Sequence, residues 1–397
     1  MPSTPAFADF ARRAVEGDRL TVAFLGGSLT WGARASDPNR TSYRGLICER
    51  LEATYPRAHF HFVDAAIGGT GAQLGAFRLQ RDVLDKKPDL VFLDFTLNDD
   101  TYKVSPDTLA GYESIVRRVI ADGRCPLVQM FLASRYDVVE GLPERMLRRD
   151  AHLATSHAYH TAVGDAIALM RDRYQHGHAD INTIWPPDAF DNTHPTDLGY
   201  ALYAEAAWRA LKDAIDCKLV CTVPEKMLNG DTYMRWARVR ISSLHPLPAG
   251  WRVAAPNSTS IAFDFLMTRW LDDVSVAANF RELSRTETEK AQPAHPLRVR
   301  FNGRSLLLFG ESTPRSCKYR VLIDGEPVKP DQNSMEFETR FFDGNGRLWQ
   351  MVAEGLKPAD HSLEIQPVFQ SADTPGELRL ESICIAGGQA KVWRIDE

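Results

Sequence analysis

Compact apolar runs at residues 21–25, 59–67, 90–97 and 127–132, each bounded by Gly, Pro or Asp, predict short buried strands. Between them the apolar positions recur at helical spacing, over residues 43–54, 73–84, 105–122 and 144–174. A further helix is predicted over residues 196–215, with Thr196 at its N-cap. Strands alternating with helices in this way predict a parallel sheet covered by helices on both faces.

Beyond about residue 217 the pattern changes. Strand-like runs crowd together at residues 236–242, 260–265, 297–301, 305–309, 318–323, 336–341, 348–352, 362–368 and 377–385. Asp324-Gly325 and Asp343-Gly344-Asn345-Gly346 have the composition of hairpin turns. Many short strands with few helices predict a β-sandwich, jelly-roll-like in texture. Residues 281–296, polar and then proline-containing, read as a loop or linker. The expected organisation is an α/β domain over 1–217 and an all-β domain over 218–397. That suits a chain of 397 residues at roughly 100–200 residues per domain.

Composition narrows the function classes. A net charge of -5 gives no global electrostatic case for nucleic-acid binding. No stretch reaches the length of a membrane span, and residues 1–20 lack an apolar core of signal-peptide length. The expectation is a cytoplasmic protein or one whose leader is missing from this sequence. Cys48, Cys125, Cys217, Cys221, Cys317 and Cys384 show no repeated CxxC spacing and read as reduced, mostly buried thiols, with a Cys217–Cys221 disulfide as the weaker reading.

Candidate chemistry lies at the strand ends. Gly26-Gly27-Ser28 follows the first strand, Gly68-Gly69-Thr70-Gly71 the second and Leu97-Asn98-Asp99-Asp100 the third. Ligands of open parallel sheets bind beyond the C-terminal strand ends, so the three motifs are expected on one edge. Asp191-Asn192-Thr193-His194-Pro195 adds a carboxylate and an imidazole. Ser28 needs a base to take its proton, and His194 is the natural one. Asp191 would fix the His194 tautomer; Asp188, three residues earlier, competes for that role. The N–H groups of Ser28 and Gly69 with the Asn98 amide form the expected oxyanion hole. Trp31, Arg34, Tyr43 and Arg44 flank the nucleophile, and Trp31 and Tyr43 are the candidates for lining a substrate pocket.

No metal or other cofactor is expected. The pairs His59/His61 and His176/His178, and the helical His152, His157 and His160, lack further ligands at metal-binding spacing. In the β-rich half, Trp236, Trp251, Trp270, Trp349 and Trp393 read as core residues, with a carbohydrate platform as the alternative.

Taken together, Gly26-Gly27-Ser28-Leu29, Ile67-Gly68-Gly69-Thr70, Thr96-Leu97-Asn98-Asp99 and Asp191-Asn192-Thr193-His194-Pro195 resemble the four blocks of the SGNH, or GDSL-type, hydrolase superfamily. The resemblance spans about residues 20–215. It implies a flavodoxin-like three-layer α/β/α fold and a metal-free serine esterase mechanism. Two positions depart from the pattern. Gly27 stands where an aspartate is usual, a variant similar to carbohydrate-active esterases, and Thr96 stands where a glycine is usual. The second half is similar to jelly-roll modules attached to some carbohydrate esterases of this superfamily. The resemblance implies deacetylation of a carbohydrate. A short-chain lipid or lysophospholipid esterase, an acyltransferase using the same residues, and a carbohydrate-binding protein with an inactive hydrolase half are the alternatives. The expected partner is an acylated small molecule or glycan, with no nucleic acid and no membrane.

Overall fold

The computed structural model describes residues 5–99, 104–140, 143–257, 269–282, 287–340, 344–371 and 373–395. It divides into two compact units, the first running to Gly230 and the second beginning at Asp231.

Five strands build the sheet of the first unit: β1 (Arg19–Gly26), β2 (His59–Ala66), β3 (Leu90–Asp94), β4 (Leu127–Phe131) and β5 (Ala162–Asp165). All pair in parallel, in the order β2-β1-β3-β4-β5. This is the flavodoxin-like order, whose switch point lies beside β1. Its helices are α1 (Phe7–Glu16), α2 (Ser28–Trp31), α3 (Tyr43–Thr54), α4 (Ala72–Asp82), α5 (Pro106–Ala121), α6 (Arg135–Val139), α7 (Pro143–Tyr159), α8 (Ala166–Gln175), α9 (Ile181–Ile184) and α10 (Asp197–Asp216). Helix α10 packs against α1, α3 and α8, while α5 packs against α4 and α7. Strands covered on both faces need apolar residues throughout, and β3 and β4 are buried at every position.

One expectation fails here, and another holds in position only. The helical pattern over 144–174 is broken by β5, so α7 and α8 are separate helices. The break falls at His160, held at φ 49, and the chain then enters a four-residue edge strand too short to show alternation. Thr196 does occupy the N-cap of α10, but its hydroxyl donates to the Thr183 carbonyl (2.8 Å) and does not cap the helix.

The second unit is antiparallel throughout its two large sheets. One orders Glu326–Pro327, Lys318–Ile323, Ala359–Val368, Leu297–Gly303 and Lys391–Arg394. The other orders Gly346–Ala353, Ser305–Ser312, Glu377–Ala386, Val274–Ala278 and Trp251–Ala254, with Trp236–Arg240 also paired to Glu377–Ala386. Val299, Phe301, Val321, Leu363 and Ile365 of the first sheet share one core with Leu306, Leu308, Leu380, Ile383 and Ile385 of the second. Two sheets joined by alternate inward side chains make a β-sandwich. Asp324 (φ 55) and Gly325 (φ 83) form the predicted tight turn.

The sandwich corrects several local readings. Part of the presumed linker is a hairpin, Phe280–Glu282 paired with Thr288–Lys290. Thr288–Lys290 is wholly exposed, so it shows no apolar alternation. Of the run 336–341, residues 336–340 form no strand; Phe337 makes an isolated bridge to Tyr319 and stacks on its ring. The run 260–265 lies outside the described residues, as do Asp100 and Asp343. Of the five tryptophans read as core, Trp251 is buried and donates its Nε1–H to the His295 carbonyl (2.8 Å). Trp236, Trp270, Trp349 and Trp393 are half-buried.

Candidate active site

Parallel register brings the first three motifs together. Gly26, the last residue of β1, stands between Ala66 of β2 and Asp94 of β3. The chain then turns directly into α2, placing Ser28 at the start of that single helical turn. On one side lies Gly68, where an added Cβ would come 3.4 Å from Ser28 Cβ. On the other side lies Asn98, whose carboxamide packs against Gly27. Gly69 sits at φ 66, a left-handed conformation that glycine adopts without strain.

The fourth motif completes the set. Ser28 Oγ and His194 Nε2 are 2.7 Å apart, and His194 Nδ1 and Asp191 Oδ2 are 2.9 Å apart. With Nδ1–H donating to the carboxylate, Nε2 is left to accept the Ser28 proton. The other Asp191 oxygen accepts the backbone N–H groups of Thr193 (2.9 Å) and His194 (3.0 Å). Burial works against the Asp191 carboxylate, but these hydrogen bonds outweigh it and hold its pKa below the ordinary value. Asp188, the competing candidate, is exposed, and the contact with His194 belongs to Asp191. The His194 and Asp191 side chains retain 25% and 24% of their exposure, so the pair is reachable from solvent.

The loop carrying this pair is braced from several directions. Arg135 N–H donates to the Asn192 carbonyl (2.8 Å), the Asn192 amide donates to Tyr136 Oη (2.9 Å) and Trp185 Nε1–H donates to the Thr193 carbonyl (3.3 Å). Asp197, the first residue of α10, accepts Ser36 N–H (2.8 Å), Ser36 Oγ–H (2.5 Å) and Thr41 Oγ1–H (2.9 Å). The segment after Ser28 is thereby fastened to the segment after His194.

Other flanking residues divide by burial. Trp31 is half-buried. Tyr43 corrects the pocket-lining expectation: it has no exposure, its ring packs edge-on against Phe24 and its hydroxyl pairs with Thr30 (3.2 Å). Arg44 is likewise fully buried and pairs with Asp64 (3.2 Å). Arg34, at φ 68, donates to the Ala189 carbonyl (3.3 Å) and lies 3.8 Å from Asp191 Oδ2.

Some supporting groups carry no motif. Arg78 of α4 donates to the strand-end carbonyls of Ala65 (2.5 Å) and Gly26 (3.0 Å). Asp99 Oδ1 accepts Ala72 N–H (2.7 Å), tying the third motif to the start of α4. His152 is buried, stacks on Tyr112 with ring centroids 3.6 Å apart and lies 3.8 Å from Asp99; burial drives its pKa well down. Burial likewise pushes the Asp94 carboxyl up to about 7. Only an arginine on the buried face of a predicted helix marks Arg78 in the sequence. Among the described residues no group of three His, Cys, Asp or Glu is placed to hold a metal ion. Cys217 and Cys221 are both free thiols, so the disulfide reading is set aside. No helix among the described residues is long and apolar enough to cross a membrane.

Comparison with known proteins places this site in a family context. Residues 24–202 match the GDSL-like Lipase/Acylhydrolase family. An acetylxylan esterase of Geobacillus stearothermophilus is 25% identical over 209 residues, spanning 48% of this chain and 93% of that protein. A two-domain esterase active on acetylated mannans, co-crystallised with mannopentaose, superimposes with a TM-score of 0.73 at 19% identity, covering 96% of this chain and 95% of that one. A second crystal structure of a two-domain esterase active on acetylated mannans gives 0.71 at 21% identity, with the same coverage. At that identity the likeness establishes a shared two-domain fold.

Proposed function

We propose that this chain, a carboxylic ester hydrolase carrying a GDSL-like lipase/acylhydrolase domain, removes acetyl groups from a carbohydrate through Ser28, His194 and Asp191. The observation that carries the mechanism is the unbroken hydrogen-bonded line from Ser28 Oγ through His194 to Asp191. Ser28 Oγ attacks the ester carbonyl as its proton passes to His194 Nε2. The carbonyl oxygen becomes an oxyanion, received by the N–H groups of Ser28 and Gly69 and by the Asn98 amide. Collapse breaks the ester C–O bond, and His194 returns the proton to the leaving sugar hydroxyl. Water, deprotonated by His194, then attacks the acetyl-Ser28 carbonyl. Acetate leaves, and Ser28 regains its proton.

The substrate part of the reading leans on the acetylxylan esterase relative, which this chain matches over nearly that protein's whole length. Replacing Ser28 with Ala is expected to abolish hydrolysis of 4-nitrophenyl acetate and of acetylated xylo- and manno-oligosaccharides. Undiminished turnover by S28A would sink the mechanism. A preference for octanoyl over acetyl esters in the unmodified protein would replace the sugar substrate with a lipid one.

A further inference from the structure

We infer that Phe190 is a specificity-determining residue, whose ring receives a sugar of the saccharide being deacetylated. The inference rests on the carbohydrate reading given above. Phe190 immediately precedes Asp191 and is 95% exposed; next among the large apolar side chains of the described residues is Val15, at 59%.

Neither packing nor backbone accounts for a phenylalanine at this position. A ring so exposed adds nothing to the core. Its backbone sits at φ 51 and ψ 27, the left-handed region, where glycine is the ordinary occupant of a helix end and a bulky side chain is an outlier. Residues in such conformations persist where their surroundings fix them, and they gather at ligand sites. Here Pro186 and Pro187 lead into a single 3-10 turn. The N–H groups of Ala189 and Phe190 donate to the carbonyls of Pro186 (3.1 Å) and Pro187 (3.4 Å), and Arg34 donates to the Ala189 carbonyl (3.3 Å). Arg34 is itself left-handed, at φ 68. The loop after Ser28 thus braces the turn that holds the Phe190 ring in water, one residue from Asp191. A contact with a ligand is what the ring is left to serve.

Position and shape select that ligand. The leaving oxygen takes its proton from His194 Nε2, so the sugar that bears it lies beside His194, and the next sugar of the saccharide is within reach of the loop around Asp191. A pyranose has apolar C–H faces and a hydroxyl edge; an aromatic face takes the first while water keeps the second. A ring this exposed offers no enclosed slot of the kind that buries an acyl tail. Tyr136, also exposed, accepts the Asn192 amide (2.9 Å) and ties a second aromatic ring to the same loop.

The test compares F190A, F190G and F190W with the unmodified protein, on 4-nitrophenyl acetate, which has no sugar, and on acetylated xylo- and manno-oligosaccharides. In F190A the ratio of oligosaccharide kcat/KM to aryl-acetate kcat/KM should fall by about 3–10-fold, mainly through KM. F190W should retain the ratio. F190G removes the ring but suits the backbone, so it should lose the ratio as F190A does while its urea midpoint is no lower than that of the unmodified protein. An unchanged ratio in F190A and F190G, or a ratio lost equally in F190W, would overturn the inference. So would a change of oligomeric state in F190A, which would assign the ring to a second copy of the chain. These outcomes leave the carbohydrate reading standing. An unmodified protein that cleaves the aryl acetate but no acetylated oligosaccharide removes that reading and the inference with it.

Discussion

The two units bury charge in different places. In the α/β unit, ionic groups with almost no exposure collect near the strand ends that present Ser28. Arg44 pairs with Asp64, Arg78 pairs with Asp82 while gripping two strand-end carbonyls, and Asp94 closes β3. In the sandwich, the core between the sheets is aliphatic and aromatic, and pairs such as Arg298–Glu364 and Arg320–Glu336 stay at the surface. Its buried ionic groups, Arg379 with Glu311 and Glu377, and Arg238 with Glu381, lie outside that core, and they too reach backbone: Arg379 donates to the Ala255 carbonyl (2.9 Å) and Glu311 accepts Asn257 N–H (2.8 Å). Desolvating a charge is costly, and a buried pair adds little net stability over an apolar replacement. The sandwich shows that this chain builds a core without such groups between its layers. Around Ser28 they are retained close to the strand ends, and that placement is the more informative half of the contrast.

Three substitutions test it. The largest effect is expected at Arg78, which has no exposed surface. R78A leaves the Gly26 and Ala65 carbonyls and the Asp82 carboxylate without this partner and should cost about 3–5 kcal/mol in urea unfolding. A cost below about 1 kcal/mol would mean that the strand ends are held by other means. Next is Asp94, raised from 3.8 to about 7 by burial. The native state then holds a proton that the unfolded chain has already released. Stability should fall as pH rises from about 4 to about 7, by at most about 1.4 kcal/mol per unit, and then level off. D94N should flatten that slope, and a slope unchanged by the substitution would remove Asp94 from the account. The smallest effect is expected in the sandwich. The Arg298 side chain is 56% exposed, so R298A should change stability by no more than about 1 kcal/mol and less at high salt. A larger loss would blur the contrast.

Much of the reacting geometry was legible because motif and strand end coincide. A short apolar run followed by Gly-Gly-Ser marks both the end of β1 and Ser28, and Asp191-x-x-His194 carries its own short-range geometry. The supporting structure was not legible, because it depends on contacts between residues distant in sequence. Arg78 meets Gly26, Asp99 meets Ala72 and Asn98 meets Gly27, and no local pattern announces any of these pairs. Tyr43 misled for a related reason. Closeness to Ser28 in sequence suggested a pocket, yet helix α3 turns that ring into the core. Edge elements escaped as well. Ala162–Asp165 and Thr288–Lys290 are too short or too exposed to show a periodic apolar face.

The fastening of Ser36 and Thr41 to Asp197 bears on how the polypeptide acquires its competence. Ser28 leaves the ribosome long before Asp191 and His194, and the segment following it has its anchor 156 to 161 positions later. A nascent chain that has emerged only through β4 already contains Gly69 and Asn98, yet neither His194 nor Asp197. Docking of α10 brings in Asp197 and, just ahead of it, His194, so the Ser28–His194 hydrogen bond forms only as the domain closes.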